Sequence, residues 1–192
     1  EASRAGNERT ACKASLRAHT YYRTAEFFLS PSDPRRRPTY ENSREAFRRG
    51  IDRLDTPVQM VEIPYDGTTL AAYLFLPADG ESDARPYPTL VCLGGFDSLA
   101  EELYFLCGVP EALARGYAVV LFDGPGQGAP LRYEELTARP DWEHVVGPVL
   151  DTLTTDDRID IDRIGLVGVS LGGYYAPRAA AFEEIGRASC RE

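Results

Sequence analysis

The 192 residues suffice for one domain with its own core and leave little room for a second full one. Apolar residues at 43 % and charged residues at 27 % exclude disordered and collagen-like chains, and no apolar run approaches the ~18 residues that a membrane-spanning helix needs. The 30 acidic against 21 basic residues give a net charge of −9, which repels phosphate backbones and argues against nucleic acid as the main partner.

The basic residues gather at the start. Residues 1 to 56 hold 12 basic and 8 acidic side chains, and residues 57 to 192 hold 9 and 22, so the sign changes at Asp55-Thr56-Pro57. Before that break the pattern predicts two helices. From about Glu8 to Leu29, Ala11, Ala18, Tyr22, Ala25 and Leu29 recur at helical steps and predict one apolar stripe. Pro31, Pro34 and Pro38, around a solvated Arg35-Arg36-Arg37 loop, are expected to stop it, and Thr39 to cap a second helix running to about Leu54. With so few large apolar residues, this pair is expected to pack on the segment after Pro57.

After Pro57 the period shortens. VQMVEIPY and TLAAYLFL around Asp66-Gly67 predict an antiparallel hairpin. TLVCL (89 to 93), a helix from about Ser98 to Arg115, YAVVLF (117 to 122), a helix from about Trp142 to Leu153 and IGLVGV (164 to 169) come next. Continuous apolar strands alternating with helices predict an α/β class with a parallel sheet covered on both faces. Function in such sheets collects at the carboxyl ends of the strands.

Each parallel strand ends in glycine beside a reactive group: Gly94-Gly95-Phe96-Asp97, then Asp123-Gly124-Pro125-Gly126-Gln127-Gly128, then Gly168-Val169-Ser170-Leu171-Gly172. The last is G-x-S-x-G between an apolar strand and a helix-like segment, the pattern of a nucleophile elbow, in which a tight turn exposes a strained serine above the sheet. Ser170 is the expected nucleophile. Attack on a carbonyl places negative charge on oxygen, which two backbone N–H groups must receive. Leu171 and Phe96 are the expected donors, with Asp97 available to orient the loop. Asp123 precedes the serine and is read as part of a permissive loop lining the site rather than as a triad acid. His144, on an amphipathic helix whose buried stripe is Trp142, Val145, Val146, Val149 and Leu153, is read as a boundary histidine, and His19 is likewise misplaced for a base. Cys12, Cys92, Cys107 and Cys190 lie at irregular spacings without C-x-x-C, which predicts free thiols in a reducing compartment.

GGFDSLAEELYF, ALARGYAVVLFDGPGQG, RPDWEHVVGPVLDTL and DRIGLVGVSLGGYYAPRAAAFE resemble the α/β-hydrolase superfamily, closest to the group of dihydroxypseudooxynicotine hydrolase, the fungal polyketide-shortening hydrolases and the fermentation-respiration switch esterases. The resemblance runs from about Ala5 to Glu183, with the first helices as a cap segment (1 to 56) and an incomplete core (57 to 183). It implies a Ser-acid-His triad of which Ser170 is the one member here, the acid and histidine coming about 80 to 115 residues later. EIGRASCRE (184 to 192) resembles a translated sequencing adapter, so a non-native tail on a truncated fragment is expected, together with catalytic silence of the fragment and an exposed apolar edge at 164 to 169. The expected reaction is attack by Ser170 on a carbonyl, with hydrolysis of a carbon–carbon bond in an aromatic or polyketide-like ketone. Ester or peptide hydrolysis is the alternative. No cofactor or metal is expected, and the expected partners are a small-molecule substrate and a second copy in a homodimer, without nucleic acid or membrane, in the cytoplasm.

Overall fold

The computed structural model of the protein describes residues 6–78 and 86–182 in full and, beyond them, the backbone of Arg187–Arg191. The chain divides into two units, Glu1–Asp55 and Thr56–Glu192.

The first unit is a helix pair, α1 (Glu8–Phe27) and α2 (Arg36–Ile51). The Asn7 side chain starts α1 by accepting from the Thr10 backbone N–H at 3.1 Å. The inward stripe of α1 differs from the expected one. Tyr22 and Ala25 face solvent, while Cys12, His19, Arg23 and Glu26 are buried. The buried face is polar because its groups pair: the Ser43 hydroxyl lies 2.9 Å from His19 Nδ1, and Glu26 accepts from Arg23 at 3.0 Å and from Arg36 at 2.9 Å. A buried carboxylate held by two guanidinium groups has its desolvation offset. Ala11 is buried as expected, and a count of apolar residues alone misses the polar part of this face.

The second helix begins three residues before the expected cap. Pro38 sits in its first turn, where a missing N–H costs nothing, and Thr39 lies inside the helix with its hydroxyl donating to the Arg35 carbonyl at 2.7 Å. The arginine triplet is thus not a solvated loop throughout, since Arg36 and Arg37 belong to α2. Apolar burial in this unit comes mainly from Tyr40, Phe47 and Ile51 of α2.

The second unit opens with the expected hairpin, β1 (Val58–Tyr65) and β2 (Thr68–Phe75), paired antiparallel with Tyr65 opposite Thr68. Asp66 and Gly67 both take positive φ, 43° and 81°, the requirement of a type I′ turn. Four parallel strands come next: β3 (Tyr87–Leu93), β4 (Ala118–Phe122), β5 (Ile159–Val169) and β6 (Arg187–Arg191), in the sheet order β1-β2-β4-β3-β5-β6. The backbone of β6 runs beside β5, so residues 164 to 169 are not the sheet edge that the sequence led us to expect. Of the expected tail at 184 to 192, the remaining residues and all side chains lie outside the described residues.

The single helix expected at 98 to 115 is two, α3 (Ala100–Leu106) and α4 (Val109–Leu113). Gly108 between them adopts φ 62°, and Pro110 sits in the first turn of α4, a combination that ends one helix and starts another. A short α5 (Gly128–Glu134) succeeds the glycine-rich loop, then α6 (Glu143–Leu153) and α7 (Gly172–Ala180). Val120 and Phe122 of β4 join one core cluster with Trp142, Val145, Val146 and Val149 of the α6 segment and Tyr175, Ala176 and Ala179 of α7. Val119 and Leu121, which alternate with them, are buried toward the other face. Both faces are covered, and this is why these strands read as unbroken apolar runs.

Candidate active site

Sheet order decides where a site can form. The chain leaves β3 for β4 on one side, then crosses to β5 on the other, so β3 and β5 flank the point where the winding reverses. Ligands in open α/β sheets bind in the crevice above such a point. Leu93 pairs with Gly168, and the two loops therefore emerge side by side, Gly94-Gly95-Phe96 from β3 and Val169-Ser170-Leu171 from β5.

Ser170 is exposed at φ 57°, a left-handed backbone that costs an L-residue about 1–2 kcal/mol. The glycines on either side are sterically required. A β-carbon on Gly168 would stand 2.0 Å from the Gly172 carbonyl oxygen, and one on Gly172 would stand 2.4 Å from the Leu93 carbonyl oxygen. The turn thus closes tightly under the serine and against β3.

Gly95 faces this turn. A β-carbon there would lie 3.0 Å from Ser170 Oγ and 3.1 Å from the Leu171 backbone nitrogen. It would also stand 2.9 Å from Ser170 Cβ, so only a hydrogen at this position lets the β3 loop lie directly against the serine and the amide at the start of α7. Leu171 occupies the N-cap of α7, where N–H groups lack partners within the helix. Phe96 comes directly after Gly95 with its side chain exposed, so its backbone belongs to the same loop.

Asp123 and Gln127 brace the segments around the ends of β3 and β4. Asp123, at the end of β4, is buried and accepts from the Ala100 backbone N–H at 2.8 Å, so its carboxylate holds the start of α3. A β-carbon on Gly128 would stand 1.7 Å from its Oδ2, so that position admits only glycine. Gln127 is also buried. Its Oε1 accepts from the Gly124 N–H at 3.0 Å, and its Nε2 donates to the carbonyls of Gly94 at 2.8 Å and Gly95 at 2.9 Å. The sequence expectation of a permissive loop leaves Gln127 without a role; its signal is a large amide inside a run of glycines.

The two histidines sit elsewhere in their elements. His144 is exposed on α6, 3.9 Å from Asp141, and His19 is buried within the helix pair. Cys12, Cys92 and Cys107 are free thiols, while the side chain of Cys190 lies outside the described residues. Among the described residues no group of three His, Cys, Asp or Glu side chains is placed to hold a metal ion, and no helix is long and apolar enough to cross a membrane.

Behind the serine, α7 is fixed to α6. Trp142 stacks on Tyr175 with ring centroids 4.0 Å apart and planes 8° from parallel, and Arg178 forks onto Glu143 at 2.8 and 2.7 Å. A β-carbon on Gly124 would meet the Trp142 ring at 2.7 Å, which couples this helix pair to the glycine-rich loop.

A twisted sheet of this order, with a strained serine turn where the winding reverses, is the α/β-hydrolase fold. The chain belongs to the FrsA-like esterase family, whose description is esterase FrsA-like and which matches residues 1–190. It is 48 % identical over 198 residues to the hydrolase acrC of Aspergillus aculeatus, covering 94 % of this chain and 46 % of that protein. It is 46 % identical over 192 residues to the 20-hydroxy-prefusarin hydrolase FUS2 of Gibberella moniliformis, covering 96 % of this chain and 46 % of the relative. The crystal structure of 2,6-dihydroxy-pseudo-oxynicotine hydrolase superposes with a TM-score of 0.83 at 31 % identity, over 95 % of this chain and 49 % of that one. The chain spans about half the length of these relatives. The chain is thus a member of the superfamily and group that its sequence motifs resemble.

Proposed function

We propose that the protein is a serine hydrolase in which Ser170 attacks a carbonyl carbon and the N–H groups of Leu171 and Phe96 receive the negative charge that forms on oxygen. The observation that carries this reading is the serine turn: Ser170 stands exposed at φ 57° between two glycines that admit no β-carbon, with the β3 loop packed against it and against the Leu171 nitrogen. As the new C–O bond forms, the serine proton passes to a histidine, which with its supporting acid lies beyond Ser170 in the full-length protein, in the order usual for this fold. Collapse of the tetrahedral intermediate expels the leaving group, which takes that proton, and water then hydrolyses the acyl-serine.

The bond broken is the finer question. An ester releases an alkoxide, whereas cleavage of a carbon–carbon bond releases a carbanion, which needs an adjacent carbonyl to hold it as an enolate. We favour carbon–carbon hydrolysis of an aromatic or polyketide-like diketone, a reading supported by relatives named for a prefusarin and a pseudo-oxynicotine substrate. Ester hydrolysis is the second reading, favoured by the family description. The substrate is a small molecule, and the free thiols at Cys12, Cys92 and Cys107 support a cytoplasmic setting.

The test uses the protein expressed from its full open reading frame, assayed with a 4-nitrophenyl ester and an aryl 1,3-diketone and treated with a fluorophosphonate. Labelling at Ser170 and turnover lost in Ser170→Ala are expected. Turnover that survives Ser170→Ala, or no turnover of either substrate, sinks the reading.

A further inference from the structure

We propose that Gln127 is the positioning residue of the oxyanion hole: its side-chain amide orients the peptide whose N–H, that of Phe96, receives charge from the substrate. The inference rests on the proposed serine mechanism and adds to it the residue that fixes one of its two donors.

The argument starts from the peptide plane. In a trans peptide the C=O and the N–H point in opposite directions, so a bond that fixes one end fixes the other. The carbonyl of Gly95 and the N–H of Phe96 are the two ends of one such unit. Gln127 Nε2 donates to that carbonyl at 2.9 Å from within the protein, which turns the Phe96 N–H away from the interior. The same amide donates to the Gly94 carbonyl at 2.8 Å, pinning the preceding peptide in the same sense. Two consecutive planes are held by one group. Between them lies Gly95, the residue that faces Ser170 Oγ and Leu171 N.

The rest of Gln127 is committed to the same task. Its Oε1 accepts from the Gly124 N–H at 3.0 Å, which sets the amide plane and aims both hydrogens of Nε2 at the β3 loop. Gln127 occupies the N-cap position of α5, yet its side chain makes no capping bond to that helix. Glutamine is the fitting choice: a glutamate of the same shape offers no donors, and a methionine of similar length makes none of these bonds. Preorganised donors stabilise a transition state without reorganising as the charge forms, so a loosened Phe96 peptide lowers kcat rather than binding of the ground state.

The experiment compares wild type, Gln127→Met and Gln127→Glu in the full-length protein, with 4-nitrophenyl butyrate as substrate and an alkyl trifluoromethyl ketone as the oxyanion mimic. In both variants kcat is expected to fall about 10- to 100-fold, with KM within about twofold and the ketone bound more weakly by the same factor as kcat. A variant with kcat and ketone affinity within about twofold of wild type, or with the loss carried by KM, overturns the proposal. Should either variant fail to fold, the wild type still decides: ketone binding is expected to shift the Phe96 amide proton downfield in a ¹⁵N-resolved spectrum, and an unmoved Phe96 resonance overturns the role. Absence of fluorophosphonate labelling at Ser170 in the wild type sinks the serine mechanism itself, and this proposal with it. Labelled wild type with unaffected Gln127 variants sinks this proposal alone.

Discussion

Gly95 lies against Ser170 so closely that one added carbon would stand 3.0 Å from the serine oxygen. Rotation can carry the serine oxygen clear of such a carbon, but it moves neither Ser170 Cβ at 2.9 Å nor the Leu171 backbone nitrogen at 3.1 Å. Gly95→Ala therefore forces the β3 loop and the serine turn apart and displaces the proposed donors from the nucleophile. The expected result is a loss of at least about 100-fold in kcat/KM toward a 4-nitrophenyl ester, together with a lowered melting midpoint. Steady-state kinetics beside a circular-dichroism melt check this, and wild-type activity and melting in Gly95→Ala would mean that the β3 loop does not pack on the serine turn.

The serine itself carries strain. At φ 57° a residue with a β-carbon costs about 1–2 kcal/mol that glycine does not. Glycine returns part of that through the greater freedom it gives the unfolded chain, about 0.4–1 kcal/mol. Ser170→Gly is accordingly expected to be more stable than Ser170→Ala by about 1 kcal/mol in chemical denaturation, with both inactive. Equal stabilities would mean that the backbone relaxes out of the left-handed region once the hydroxyl is gone.

Much of this site was legible because its signals are local. Asp66-Gly67 between two apolar runs sets a hairpin turn, and G-x-S-x-G between a strand and a helix sets the serine turn, each within a few residues. What escaped the sequence depends on partners far along the chain. The bond from Asp123 to the Ala100 N–H spans 23 residues, and the bonds from Gln127 to Gly94 and Gly95 span 33 and 32. Periodicity does not encode such pairs. The inward face of α1 escaped for a related reason: His19 and Glu26 are buried because Ser43 and Arg36 from α2 satisfy them, and Arg23 because it pairs with Glu26. The α3–α4 break differs, since Gly108 and Pro110 were in view and the apolar residues around them outweighed their signal.

Cys92 and Cys107 give a test of packing by chemistry. Cys92 is fully buried on β3, and the neighbouring Cys107 thiol together with burial pushes its pKa well above the ordinary thiol value. A thiol held neutral is a poor nucleophile. Iodoacetamide at neutral pH is expected to spare Cys92 in the native protein and to modify it once the protein is unfolded in guanidinium, as read by peptide mass spectrometry. Native modification of Cys92 at the rate of a free thiol would contradict the packing of β3 against the α3 segment.

The fork between Arg178 and Glu143 ties α7, which carries the serine turn at its start, to α6. Arg178 holds the Glu143 carboxyl below its ordinary value of 4.5 through these hydrogen bonds, and His144 adds a smaller pull in the same direction. An acid whose folded pKa is depressed contributes stability above its unfolded pKa and loses it as pH falls through the folded one. The clasp is therefore complete at neutral pH and fades on acidification below about 4.5. Arg178→Ala is expected to lower the denaturation midpoint at pH 7, and the gap from wild type is expected to shrink as pH drops through that range. Added salt is expected to narrow the gap at pH 7 only partly, because both side chains are half-sheltered and their geometry is bidentate. A gap independent of pH between 7 and 3 would assign the effect of Arg178 to its guanidinium lying over the Phe182 ring, 5.5 Å from the ring centroid, and not to the ion pair.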